Sequence, residues 1–307
     1  MSGQKEKEEI KTILITGGSG LVGTRLSGML KAKGYTITHL SRGSGDGVYK
    51  SYRWDIAGQE IDVEAIKTAD AIIHLAGAGV ADKRWNAARK QEIYDSRINS
   101  TRLLHQYVKE HNPDLGYFLS ASAVGYYGWD TGASVVDETS PKGEGFLADV
   151  VADWEAETVR FSELSVANGM VRIGVVLSDD GGALVEIGRP IRLGVGAPLA
   201  SGTQYMSWIH IDDLCSIFIH CLENKVEGIV NGVSPSPTTN KALTSALAKK
   251  LGRPLLLPNV PKFALKLLVG EMADMLVGGN NVSSKKIENL GFSFKYPYLE
   301  VALEDLL

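Results

Sequence analysis

The sequence predicts an α/β fold: a doubly wound parallel sheet with a smaller, mostly helical C-terminal part. Three observations predict it. A strand-length apolar run, Ile13-Leu14-Ile15-Thr16, leads directly into a glycine turn, Gly17-Gly18-Ser19-Gly20-Leu21-Val22-Gly23. Further strand-like runs alternate with segments whose apolar residues recur at helical spacing. The chain has 307 residues, 44% of them hydrophobic, enough for a large core.

The elements follow in order. After the glycine turn, Val22, Leu26, Met29 and Leu30 recur at helical spacing, and Lys31, Lys33 and Gly34 supply a basic last turn and a glycine stop. Residues 35–40 form the next strand and complete a βαβ unit. The polar stretch 41–47 reads as a loop, Tyr52-Arg53-Trp54-Asp55 as a short third strand and 63–69 as a short helix. Ala71-Ile72-Ile73-His74-Leu75-Ala76-Gly77 is a buried strand in which His74 reads as a core histidine with satisfied nitrogens. A long helix is expected over 86–109, a fifth strand over 115–122, a helix over 146–168 stopped by Gly169, and a sixth strand over 171–177. Beyond Ser178, several glycines together with Pro190 and Pro198 break the chain into short pieces. A helix through Leu222, a late strand over 228–233 and helical segments over 241–251, 261–277, 283–290 and 299–307 complete the reading.

The glycines have separate physical roles. Gly17 permits the tight turn, Gly20 lets the backbone approach a pyrophosphate, and Gly23 lets the helix lie close on the strand. The helix N-terminus offers unpaired N–H groups and the positive end of its dipole to phosphates. With a strand before the turn and a helix and strand after it, the pattern predicts a dinucleotide site. The expected organisation is a nucleotide-binding domain over 1–177 and a substrate-covering part over 178–307, whose elements could rejoin the main sheet.

Composition narrows the partners. With 32 Lys+Arg against 36 Asp+Glu the formal charge is −4, and no basic cluster invites nucleic acid or an anionic membrane. Met1 to Glu9 is polar and charged without an apolar core, and no later run has the length of a membrane span, so a cytoplasmic protein is expected. Cys215 and Cys221, on different faces of one predicted helix, read as buried thiols, and no histidine pair has metal-ligand spacing. The expected partner is a small molecule, with the chain a monomer or homodimer.

The glycine turn, Leu75-Ala76-Gly77, the loop Tyr126-Tyr127-Gly128 and the segment Trp208-Ile209-His210-Ile211-Asp212-Asp213 together resemble the extended short-chain dehydrogenase/reductases. The closer likeness is to their atypical epimerase family group, the nucleoside-diphosphate-sugar epimerase-like proteins. It is carried by Lys83-Arg84-Trp85, Ser96-Arg97-Ile98, Ser120 to Gly128, Gly181-Gly182-Ala183, Gly270-Glu271-Met272-Ala273 and Gly291-Phe292, and spans nearly the whole chain. The resemblance implies a Rossmann-type fold and a nicotinamide cofactor held by Gly17, Gly20, Leu21, Val22, Gly23, Ser41, Arg42, Leu75, Ala76, Gly77 and Val176. By the same analogy Asp55 faces the adenine, and Glu92 and Arg97 border the cofactor; read as residues alone, they form a charged pair on a helix.

The chain also departs from the family pattern. Active relatives use a Tyr, and a Lys four residues later, on the helix after the fifth strand, where the Lys and the nicotinamide ribose lower the Tyr pKa. Here that stretch reads Phe146-Leu147-Ala148-Asp149-Val150-Val151. Ser122 and Tyr127 of the glycine-aromatic loop are the remaining catalytic candidates, against structural readings as a strand-end hydrogen bond and a pocket wall. Tyr126, Trp208 and His210 are the expected substrate-pocket residues, and Tyr205 and Met206 an apolar wall. An aspartate capping the helix near Asp213 is the structural alternative for the His210 segment.

The end of the second strand indicates the cofactor form. An NAD-preferring site places an acid there to accept from the ribose 2′-hydroxyl, but Leu40 is followed by Ser41 and Arg42. A guanidinium with a neighbouring hydroxyl suits a 2′-phosphate, so NADP(H) is expected. The predicted function is an NADP(H)-dependent oxidoreductase or epimerase-like enzyme on a small carbonyl or sugar-like substrate. The alternative is a protein that holds or senses NADP(H) without turnover.

Overall fold

The computed structural model describes residues 10–43 and 45–307; the charged stretch Met1 to Glu9 lies outside the described residues. Seven parallel strands make the central sheet: β1 (Thr12–Thr16), β2 (Thr36–Ser41), β3 (Lys50–Asp55), β4 (Ala71–His74), β5 (Tyr117–Ala123), β6 (Asn168–Ile173) and β7 (Gly228–Gly232). They lie in the order β7-β6-β5-β4-β1-β2-β3. Two short strands, Gly45–Asp46 and Glu60–Ile61, pair antiparallel with β3. The order reverses at β1, so the crevice beyond its carboxyl end is where such sheets take ligands.

The pleat sorts side chains onto two covered faces. Ile13, Ile15, Ala71, Ile73 and Leu119 join a core with Leu26 and Leu30 of α1 (Leu21–Ala32) and Leu214, Ile217 and Phe218 of α6 (Ile211–Asn224). The alternate residues Leu14, Leu40, Ile72 and Phe118 pack with Ala65 and Ile66 of α2 (Val63–Lys67) and Leu103, Leu104 and Val108 of α3 (Ala87–His111). Both α6 and β7 come from beyond residue 177, so the later part of the chain completes the sheet and one of its layers. Arg25 of α1 grips Asp212 of α6 through two hydrogen bonds of 2.6 and 2.9 Å. A third core gathers Leu184 and Ile191 of α5 (Ala183–Arg192), Leu243 and Leu247 of α7 (Asn240–Lys250), and Leu299 and Leu303 of the last helix, Leu299–Leu306.

Several boundaries differ from expectation. The helix over 146–168 ends sooner: α4 is Phe146–Val159, a 3₁₀ turn covers Arg160–Leu164, and Ser165 turns the chain with φ +59°. Gly169 therefore lies within β6, where a side chain would collide with the Tyr117 hydroxyl and the Val226 carbonyl. The sixth strand is broken at Gly174, whose Cβ would strike the Ser207 carbonyl. Val175–Leu177 leaves the main sheet and pairs with Trp208–His210. Residues 181–198 hold a ten-residue helix, α5, with Pro190 in its last turn, rather than short pieces. Gly270, at φ +66°, divides the segment 261–277 into α8 (Lys262–Val269) and a shorter helix, Ala273–Val277.

Candidate active site

The turn between β1 and α1 shows why its glycines are needed. Gly17 has φ +69°, and a Cβ there would sit 2.9 Å from the Ala76 nitrogen, because the end of β4 passes against it. At Gly23 a Cβ would strike the Gly17 carbonyl, so this glycine seats α1 on the turn itself rather than on the strand. Gly20 differs: its Cβ would meet only the Gly17 oxygen, at 3.3 Å, leaving open space in front of the turn. Gly20 is also the N-cap of α1 and brings no side-chain cap, so the first-turn N–H groups remain available to an anion. Val22 packs against the main core behind the turn, while Leu21 leans on Gly182 at the start of α5.

Beside the turn, β1 and β4 are tied by one polar chain. The Thr16 hydroxyl accepts from the Leu75 and Ala76 N–H groups, both at 3.1 Å, and lies 2.7 Å from His74 Nδ1. Having two N–H groups to accept, Thr16 donates its own proton to Nδ1. His74 Nε2–H then donates to Ser100 Oγ, 3.1 Å away, which passes its proton to a helix carbonyl. Full burial, then the charge of Arg97, pushes the His74 pKa down to about 3. His74 is thus a satisfied core histidine, as expected, and must stay neutral. Between its unfolded value of 6.5 and about 3 the unfolded chain binds the extra proton, so stability should be lost as pH falls through this window. Urea titrations should give a steeper loss for the wild type than for His74→Asn over that window.

Arg97 of α3 lies across Gly77: a Cβ there would be 3.1 Å from its guanidinium carbon. Its Nη1 donates to the carbonyls of Ala78 and Ile93, both at 3.0 Å, and the guanidinium stands 5.3 Å over the Trp154 ring. No carboxylate among the described residues pairs with it. Burial, then the charge of Arg89, lowers its pKa to about 10. Glu92 bonds Arg89 at 2.6 Å instead, and this bond holds its carboxyl below the usual range, so the two residues do not form a pair with each other.

Just past the end of β2 Arg42 is exposed, and its charge reaches Glu92. The Ser41 hydroxyl donates to the Gly43 carbonyl and accepts from Ser51 at 2.8 Å, which removes it as a ready donor to a phosphate. Asp55 accepts the Ala57 and Gly58 N–H groups through one carboxylate oxygen, closing the turn after β3.

A cavity of about 970 Å³ opens beyond the carboxyl ends of β5 and β6. Leu147, Val150 and Val151 of α4 form one wall, Ile187 and Ile191 of α5 another, and Tyr205, Met206 and Met275 close it. Arg97 and Gly182 line it too, and since Arg97 lies against Gly77 and Gly182 against Leu21, the cavity reaches the end of β4 and the β1–α1 turn.

The catalytic and pocket candidates take other positions. Ser122 is buried and donates to Glu155 at 2.6 Å; Tyr127 is buried, donates to Asn231 at 2.8 Å and accepts from Arg172 at 3.1 Å. Burial pushes the Tyr127 pKa up to about 12, with Arg172 opposing. Tyr126 stacks under the same guanidinium, 3.5 Å from ring centre to guanidinium carbon. All three thus belong to the Glu155–Arg172 network, and none lines the cavity. Trp208 is fully buried in the third core with its indole N–H on the Ser236 carbonyl. His210 caps α6 by accepting from the Asp212 N–H and stacks on Tyr296 at 3.8 Å, so the cap is the histidine rather than an aspartate. Neither lines the cavity, whereas Tyr205 and Met206 do. Val176 pairs with Ile209 just before Gly182.

The NAD dependent epimerase/dehydratase family model matches residues 13–155, and that of a domain of unknown function, DUF1731, matches 260–306. The Homo sapiens epimerase family protein SDR39U1 is 35% identical, over 96% of this chain and 99% of its own. This chain belongs to the epimerase family that includes SDR39U1. Within that family, the chloroplastic SDR39U1 homolog of Arabidopsis thaliana is 36% identical over 98% of this chain and 88% of its own. The crystal structure of human SDR39U1 (isoform 2) with NADPH is similar to it at a TM-score of 0.87 and 33% identity, covering 96% of this chain and 98% of that one.

Sequence reading missed Glu155, Arg172 and Asn280 as parts of the site region. A buried ion pair on a helix and a strand carries no local pattern, although an arginine inside the apolar run Val171-Arg172-Ile173 signalled a paired charge. Among the described residues no helix is long and apolar enough to cross a membrane.

Proposed function

We propose that this epimerase family member binds NADP(H) along the β1–α1 turn and works as an oxidoreductase on a small, mostly apolar carbonyl compound. The observation that carries this is the aliphatic cavity that reaches, at Arg97 and Gly182, the end of β4 and the β1–α1 turn. Gly20 leaves room for a pyrophosphate, and the first turn of α1 offers its N–H groups to it. Arg97, lacking a carboxylate, has donors left for a cofactor oxygen. Arg42, where an NAD site has an acid, suits the 2′-phosphate, and the NADPH of the human relative's structure supports that form. Leu75, Ala76, Gly77 and Val176 border the nicotinamide half, and Asp55 and Glu92 the adenosine half. When bound, the cofactor carries hydride chemistry, and the aliphatic wall excludes water from it.

A hydride acceptor with few polar groups fits such walls better than a nucleotide sugar. Leu147, Val150 and Val151 stand where relatives carry the Tyr/Lys pair, and the Ser122 and Tyr127 hydroxyls are committed to Glu155, Arg172 and Asn231. Those commitments favour a second reading, a holder of NADP(H) that does not turn over. Oxidation of NADPH with a panel of aliphatic and aromatic aldehydes and ketones separates the two. Turnover supports the enzyme; tight NADPH binding without turnover on any member supports the holder.

The cofactor form is tested at Arg42. A charge-assisted hydrogen bond contributes roughly 1.5–3 kcal/mol, so Arg42→Ala should weaken NADPH about 10- to 100-fold and leave NADH nearly unchanged. Equal NADH and NADPH affinities in the wild type by calorimetry would remove the NADP assignment.

A further inference from the structure

One wall of the cavity comes from α7, and it carries a hydroxyl that no other described residue uses. Asn240, Thr244 and Leu247 recur at i, i+4 and i+7, so they share the inward face of that helix. Leu247 enters the third core and lies against α5, where a Cβ on Gly188 would be 3.8 Å from its methyl carbon. Asn240 and Thr244 line the cavity. The Asn240 side chain is engaged: its oxygen accepts from the Leu199 N–H at 2.8 Å, and its amide donates to the Met206 sulfur at 3.5 Å. Nearby polar groups are engaged as well. The Gln204 amide donates to the Leu199 and Leu276 carbonyls at 3.1 and 3.0 Å, and Ser207 donates to the Asn280 carbonyl at 2.6 Å while accepting from the Val282 N–H at 3.0 Å.

Thr244 differs from these. A threonine inside a helix can turn its hydroxyl back to the carbonyl four residues earlier, as Thr101 and Thr158 do at 2.7 and 3.2 Å. Thr244 Oγ1 has no hydrogen-bond partner among the described residues, neither the Asn240 carbonyl nor any other group. It is not sealed away either. The side-chain atoms closed to water and lacking a partner belong to Thr38, Arg89, Trp154, His210 and Asn280, and Thr244 Oγ1 is not one of them. The residue as a whole is 2% exposed and lines the cavity, so the opening through which its hydroxyl meets water is the cavity. A ligand that displaces this water without replacing its hydrogen bond leaves the hydroxyl unpaired, at a cost in affinity.

We infer that Thr244 is a specificity-determining residue of the cavity, its hydroxyl bonding a polar group that the ligand carries at the end away from the cofactor. This rests on the cavity being the ligand site proposed above. The separation follows from α5, which starts at Gly182, beside Leu21 of the β1–α1 turn. Gly188, opposite Leu247, is six residues further on, about 9 Å along the helix at 1.5 Å per residue. Thr244 is one turn of α7 from Leu247. The substrate class is therefore a carbonyl compound with an apolar middle and a second oxygen or nitrogen near its far end.

The test uses the full chain saturated with NADPH and three diols: 1,6-hexanediol, 1,7-heptanediol and 1,8-octanediol. Each is compared with the alcohol in which a methyl group replaces one hydroxyl, 1-heptanol, 1-octanol and 1-nonanol respectively. Alcohols accept no hydride, so calorimetry reads binding alone. At the chain length that reaches Thr244, the ratio of alcohol to diol dissociation constants should fall about 10-fold from the wild type to Thr244→Val and be restored in Thr244→Ser. In the wild type alone the ratio should peak at one length, because a hydroxyl placed elsewhere along aliphatic walls is buried without a partner. A ratio equal at all three lengths overturns the role of Thr244, a result that requires no variant to fold. A ratio that Thr244→Val leaves unchanged at every length overturns it too, and in both cases the bound alcohols keep the cavity as a ligand site. Binding of none of the compounds overturns that role together with the cavity as an apolar ligand site, while NADPH titration of the wild type separately decides the cofactor reading.

Discussion

Replacing Glu155 by alanine should lower the unfolding free energy by about 3–5 kcal/mol, the usual cost of leaving one partner of a buried ion pair alone. Arg172 is 1% exposed near the carboxyl end of β6, and Glu155 of α4 meets it with two bonds of 2.7 Å. Burial disfavours the guanidinium charge, but Glu155 outweighs it and raises the Arg172 pKa. Glu155 also takes the Ser122 hydroxyl, so the variant strands a charge and that hydroxyl together. Urea denaturation followed by circular dichroism measures it. Ser122→Ala, which removes one donor and leaves the ion pair intact, should cost only about 1 kcal/mol. A Glu155→Ala loss no larger than that of Ser122→Ala would mean the pair contributes little and that Ser122 and Tyr127 need another account.

This network shows what the sequence could not say about the catalytic candidates. Ser122 and Tyr127 do stand at the end of β5, beside the crevice where ligands bind, and location alone suggested chemistry. What location could not give is orientation. The pleat sends Ser122 towards α4, and the 3₁₀ turn Val124–Tyr127 folds the tyrosine onto β6 and β7. These orientations depend on Glu155 for Ser122 and on Arg172 and Asn231 for Tyr127, all distant in the chain. The capping role of His210, named from sequence as a pocket residue, was hidden for a similar reason: its neighbours Tyr296 and Asp305 lie at the far end of the sequence.

The fold was more legible because its determinants are local. Alternation of Ile13, Leu14 and Ile15 between two cores, the helical spacing of Leu26 and Leu30, and the glycine turn each act within a few residues. Errors arose where a distant backbone overrode the local pattern. Gly174 breaks a seven-residue apolar run because the Ser207 carbonyl needs its space, and α5 forms despite its glycines and Pro190 because Leu184 and Ile191 have a core to enter. The hydrogen bonds of Asn280 with the Val124 and Gly128 carbonyls and with Ser207 were invisible for the same cause, since these partners all belong to earlier segments.

Gly20→Val should abolish detectable NADPH binding, a loss of more than about 100-fold, while the thermal transition stays cooperative and close to that of the wild type. The contrast with Gly23 makes this a test of the cofactor cleft rather than of the fold. A side chain at Gly23 would collide with the Gly17 carbonyl and the Gly18 backbone, so Gly23→Val should unseat α1 and lower the melting temperature as well as the affinity. At Gly20 the added Cβ finds only the Gly17 oxygen, at 3.3 Å, and its methyl groups project into the space in front of the turn. Backbone strain contributes nothing, because Gly20 has φ −78° and ψ 171°, a conformation open to valine. What valine does there is occupy the approach of a pyrophosphate and cover the first N–H groups of α1, the donors that a diphosphate needs in place of water. Calorimetric titration with NADPH, paired with a thermal melt of each variant, measures both quantities. Unchanged affinity in a well-folded Gly20→Val protein would place the diphosphate away from this turn and remove the cofactor reading at its root.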